Sequence, residues 1–131
     1  MGKGFGQPKA VPTRSAAQLM RAFGKYCAEA KGDERQVEQF LQANLAKLDE
    51  YLLEALPHIF PKLLDDGLFG DRQNVASLFL AFGNAISGFP LGDRALNLEL
   101  SFAAYRVALR VFTRDNFPQE WAGLQNNLGN A

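Results

Sequence analysis

The chain has one cysteine, one histidine, one tryptophan and no excess charge of either sign. Each scarcity removes a class of function. A lone thiol, Cys27, cannot form an internal disulfide, which suits a reducing compartment. A cytoplasmic protein is expected. The lone histidine, His58, sits between Pro57 and Pro61 with no second histidine or cysteine beside it to share a metal. Nor does it have a partner that would make it a general base, so it reads as a helix-surface or capping residue. With 14 basic and 14 acidic residues, the chain has no long-range attraction for nucleic acid or an anionic membrane. No apolar run approaches transmembrane length. The opening Met-Gly-Lys-Gly-Phe-Gly lacks the apolar stretch of a secretory signal, and Gly6 stands where myristoylation wants Ser or Thr. Val, Ile and Thr are sparse and no two-residue hairpin turn occurs, so strands are not expected.

What is present is apolar. Hydrophobic residues make up 47% of 131 residues, eleven of them Phe, enough for one domain with a modest core. Lys3, Lys9, Arg14, Arg21 and Lys25 are the only charges before Glu29 and read as a solvated tail plus one basic helix face. Cys27, beside Phe23 and Tyr26, reads as a buried inert thiol. Asp65-Asp66 reads as an acidic turn rather than a metal pair, since no further ligand spacing follows. Gly2, Gly4 and Gly6 have no preceding strand and no phosphate-binding lysine, so they read as flexible tail. Trp121 reads as core. No catalytic, cofactor-binding or metal residue is expected, and no enzyme.

The periodicity is helical. Residues 1–12, rich in Gly and Pro, should be a mobile tail ahead of a single all-helical domain over 13–131. Ser15 with Gln18 suggests a capping box for a first helix carrying Leu19, Met20, Phe23, Tyr26 and Cys27, with Gly32 as its stop. Asp33 with Gln36 opens a second helix through Val37, Phe40, Leu41, Leu45 and Leu48. A third apolar series from Tyr51 to Leu64 must kink or restart at Pro57 and Pro61. Asp71 should cap a fourth helix, through Val75 and Phe82 to Ile86. Asp93 should start a long fifth helix reaching Val111 and Phe112, broken at Asn116-Phe117-Pro118. Pro118 is then well placed as the first residue of a sixth helix with Trp121, Leu124 and Leu128. The fold class is all-α, about six helices in short-looped antiparallel pairs.

Phe82-Gly83-Asn84-Ala85 recurs as Leu128-Gly129-Asn130-Ala131. Gly inside a helix costs roughly 1 kcal/mol against Ala, so two matched copies point to a close helix crossing. Ser101, Ala104 and Ala108 supply small residues on the intervening helix, with Tyr105 as the large partner. Phe82-Gly83, Ser101, Tyr105, Ala108, Pro118 and Leu128-Gly129 together resemble the tetratricopeptide repeat. The unit is stretched, about 46 residues against the family's 34, and Ile86 replaces the usual aromatic after the Gly. Gly92-Asp93-Arg94-Ala95, Asn97-Leu98-Glu99, Val111-Phe112-Thr113-Arg114, Phe117 to Ala122 and Gln125 to Ala131 resemble the long repeats of cyanobacterial multi-repeat proteins, which often carry a caspase-like CHAT domain.

The resemblance implies a right-handed α-solenoid. Residues 13–70 would be an N-terminal helical segment, and 71–131 one repeat plus the start of a second. It also implies a protein–protein interaction scaffold or the capping module of an array. The alternative is an accessory segment of a CHAT-type protease system. In some family members an Asn after the Gly holds a peptide, which places Asn84 and Asn130 as candidate peptide contacts. Two readings stand for them, a ligand contact or a plain helix-surface residue. The family's clamp uses a Lys one turn earlier, where this chain has Leu80 and Asn126, so a free carboxylate terminus is not the expected ligand. Because the last helix lacks its partner, the expected outcome is either a homodimer through the C-terminal helix or a longer array of which this chain is a part.

Overall fold

The computed structural model describes residues 11–130, and every described element is helical. Most of the expected tail lies outside the described residues, and within them Val11 already packs against the core. Seven α-helices follow one another: α1 (Arg14–Ala30), α2 (Glu34–Ala43), α3 (Glu50–Ala55), α4 (Phe60–Asp65), α5 (Arg72–Ser87), α6 (Arg94–Ala108) and α7 (Pro118–Asn130). Short 3-10 turns at Leu45–Lys47 and Leu56–His58 link the middle ones.

Aspartate starts most of these helices, because a carboxylate can take the free N–H groups of a first turn. Asp33 accepts from the backbone of Arg35 and Gln36, Asp49 from Leu52, Asp71 from Asn74 and Asp93 from Leu96. The first helix departs from this rule. Ser15 and Gln18 do not cap it: α1 begins at Arg14 behind Thr13, whose side chain makes no capping bond. At its far end Lys31 takes the left-handed conformation (φ 52°) and Gly32 follows it (φ 84°), which turns the chain into α2.

One further expectation is made definite and another is corrected. The series from Tyr51 to Leu64, expected to kink or restart at its prolines, restarts: it splits into α3 and α4, giving seven α-helices where about six were expected. Proline explains it: Pro57 lies in the linking 3-10 turn and Pro61 in the first turn of α4, where its missing N–H costs nothing. The fifth helix ends earlier than its apolar pattern suggests. α6 stops at Ala108, and Val111 and Phe112 are buried from the turn that follows. The Phe112 ring meets Phe117 edge-on at 5.2 Å, so the break is held by packing rather than by Pro118 alone. Pro118 does open α7.

One continuous core runs from Ala16 in α1 to Leu124 in α7. Phe23 of α1 is its junction. Its ring contacts Phe40 of α2 at 5.9 Å and Phe82 of α5 at 5.2 Å, the latter edge-to-face. The segment before residue 70 therefore shares its core with the repeat that follows. The most extensive helix contact joins α5 to α6 across the short loop between Ser87 and Arg94. No helix is long and apolar enough to cross a membrane, among the described residues.

Candidate functional site

The α5–α6 crossing is built around a missing side chain. A Cβ on Gly83 would lie 2.5 Å from Cε1 and 2.7 Å from Cδ1 of Tyr105. The Tyr105 ring therefore occupies the space any other residue at 83 would need. Helix side chains lean toward the N-terminus, which is why Tyr105 reaches the level of Ser101 and lies over Gly83. Ser101 Oγ, fully buried, donates to the Gly83 carbonyl at 2.8 Å. Ala104 and Ala108 are buried on the same helix. Of the set expected from the sequence, Ser101 and Tyr105 meet Gly83 directly.

Asn84 extends the crossing to α7. Its Oδ1 accepts from the Tyr105 hydroxyl at 2.8 Å and from Asn127 Nδ2 at 3.1 Å. Its own Nδ2 has no partner among the described residues. Burial pushes the Tyr105 phenol up, so the hydroxyl stays protonated at neutral pH and remains a donor. Sequence reasoning singled out Asn126 as the neighbour of interest. Asn126 is exposed, and it is Asn127, one residue on, that reaches Asn84. Leu80 is half-buried against the core, and Asn130 is the last residue of α7.

The second copy of the repeat is not filled in the same way. Around Gly129, and around Gly123 one and a half turns earlier, nothing lies within 4 Å of an added Cβ. The apolar face of α7 was expected to be partly uncovered: Leu124 is fully buried, whereas Leu128 is half-buried against the core. Gly123 and Gly129, about 120° apart around the helix, both lie away from Leu124. Trp121 is half-buried rather than core, with the Arg114 guanidinium 5.6 Å above its ring.

A groove of about 610 Å³ lies between α1, α2 and α5. Cys27 and Val37 form its apolar part, Ala85 and Asn84 one wall, and Glu34 and Glu38 the other. Cys27 is half-buried there and not sealed in the core, a correction explained by the separation of α2 from α5 at that level. Burial still raises its thiol pKa, which keeps it protonated and weakly nucleophilic. His58 is exposed in its 3-10 turn. Asp66 pairs with Arg21 across the surface. No group of three or more His, Cys, Asp or Glu side chains could hold a metal ion, among the described residues. Glu34, Glu38 and Asn127 carried no signal in sequence, because exposed polar residues on helices are ordinary. Comparison with protein-family models, with curated proteins and with solved structures finds no match.

Proposed function

We propose that the chain is a non-catalytic protein–protein interaction module of the cytoplasm, one unit of a right-handed helical array of tetratricopeptide type. One observation carries this reading. Gly83 and Gly129 open the same Gly-Asn-Ala string, yet only Gly83 of the two has its space filled by a tyrosine from the next helix. Gly129 offers the same opening on an accessible side of α7. A helix that lacks a Cβ and lies against nothing is suited to receive another helix closely. Arrays of stacked units bury each face on the next, and an open glycine on α7 is the kind of feature such stacking covers. The occupant in this reading is a second copy of the chain, giving a homodimer through α7.

Sedimentation velocity across micromolar concentrations tests it, with Gly129→Leu as the blocking variant. The wild type should sediment as a dimer and the variant as a monomer with an unchanged melting temperature. A wild type that stays monomeric throughout overturns pairing through α7.

A further inference from the structure

The groove between α1, α2 and α5 presents three different recognition elements to one space. Cys27 and Val37 give it an apolar floor. Asn84 gives it an oriented donor. Because both hydrogen bonds to the Asn84 side chain fall on Oδ1, the carboxamide is fixed and Nδ2 is left to donate elsewhere. Glu34 and Glu38, one helical turn apart on α2, give it two carboxylates.

The charge of the groove is one-sided. Neither glutamate has an ion-pair partner, the Arg21–Asp66 pair being the one salt bridge among the described residues. Lys31 and Arg35 stand close in sequence, but neither lines the groove. Like charges four residues apart on a helix repel, and a cation seated between them removes that repulsion. The C-terminal end of α5, at Gly88, borders the groove with the negative end of its dipole and the first turn of α2, at Glu34, with a positive end, so the two offset and the glutamates set the sign of the groove. A volume of this size with an apolar floor and a few convergent polar groups is typical of a ligand site.

We infer that this groove binds an extended segment of a partner protein bearing a lysine or arginine next to a small apolar residue. The cationic side chain lies between Glu34 and Glu38. The apolar side chain rests on Cys27 and Val37, and a backbone carbonyl of the segment accepts from Asn84 Nδ2. The inference rests on the reading of the chain as an interaction module but uses a different face from α7.

The probe is a display library of random dodecapeptides selected on the full chain, with enriched sequences synthesised and titrated calorimetrically. The comparison is the double variant Glu34→Gln, Glu38→Gln. Both positions are exposed, so the fold should be unaffected, as a circular-dichroism melt will show. Enriched peptides should carry Lys or Arg beside an apolar residue. They should bind the double variant on the order of tenfold more weakly and weaken with added salt. They should also slow alkylation of Cys27, the only thiol. Enrichment of acidic or neutral peptides, or equal affinity for the double variant, overturns the cationic assignment while leaving an interaction module. Enrichment of no peptide above the bare support overturns the groove as a peptide site, and the α7 pairing is judged separately by sedimentation.

Discussion

Gly83 and Gly123 occupy helices of similar kind, yet substitution should move them in opposite directions. At Gly83 a methyl group meets the Tyr105 ring, and the α5–α6 crossing must open to admit it. Overpacking of this sort costs about 1–3 kcal/mol, more than the helix propensity that Ala regains. At Gly123 the added methyl meets open space. Gly123→Ala should therefore stabilise by up to about 1 kcal/mol. Urea unfolding of both variants checks the pair, and equal effects would mean the crossing is not tight. Tyr105 carries a second residue-scale consequence. Its phenol pKa is raised above the ordinary 10.0, so the folded state keeps a proton that the unfolded chain releases. The associated stability is whole below that pH and is lost as pH rises through the folded value. Cys27 behaves likewise from its ordinary 9.0 upward. Melting temperature should hold at neutral pH and fall progressively above about 9, and Tyr105→Phe should flatten the part of the fall above 10. The hydroxyl also needs its acceptor. Asn84→Ala leaves it facing an apolar methyl, and the loss should be about 1–3 kcal/mol but much smaller in the Tyr105→Phe background.

Among the elements, α7 should be the least protected. It is anchored by fully buried Leu124 and half-buried Leu128, with the Asn127–Asn84 hydrogen bond at the surface. By contrast α5 buries residues from Val75 to Ile86 and α6 from Asn97 to Ala108. Local opening draws on regions with few buried contacts. Amide hydrogen exchange should therefore show α7 opening well before α5 and α6. Leu124→Ala should speed α7 exchange by orders of magnitude, since loss of a buried leucine costs about 2–5 kcal/mol. Exchange of α7 at the same rate as α5 would show that the last helix belongs to the central unit. The sequence placed the start of α7 at Pro118 and left its apolar face partly uncovered, but how deeply Leu124 seats depends on the neighbours the helix finds.

At the scale of the whole molecule, the Phe23 junction decides whether the chain behaves as one unit. Residues 13–70 and 71–131 differ in sequence character, and only the latter carries the repeat. Their cores nevertheless merge where Phe23 meets both Phe40 and Phe82. Calorimetric unfolding should give a single transition, with the calorimetric and van't Hoff enthalpies equal. Phe23→Ala should lower it by about 3–5 kcal/mol as one event. Two resolved transitions in the wild type would show that the segments fold separately.

The sequence by itself determined the helical class, the aspartate starts at Asp33, Asp71 and Asp93, the opening of α7 at Pro118 and the Gly83–Ser101–Tyr105 crossing. Each of these follows from a local rule: 3.6-residue periodicity, a carboxylate accepting from free N–H groups, proline without a donor, or glycine without a Cβ. The tertiary structure decided what depends on residues distant along the chain. The capping expectation at Ser15 failed because the first turn of α1 is set by Ala16 and Ala17 packing into the core as much as by local caps. α6 ended at Ala108 because the turn beyond it is pinned by Phe112 against Phe117. Cys27 became a groove residue because α2 and α5 do not close over it, and Glu34, Glu38 and Asn84 come to line the same space only through the packing of those helices. Periodicity states which side of a helix is apolar. Which neighbour covers that side, and where none does, is settled by packing across the whole chain.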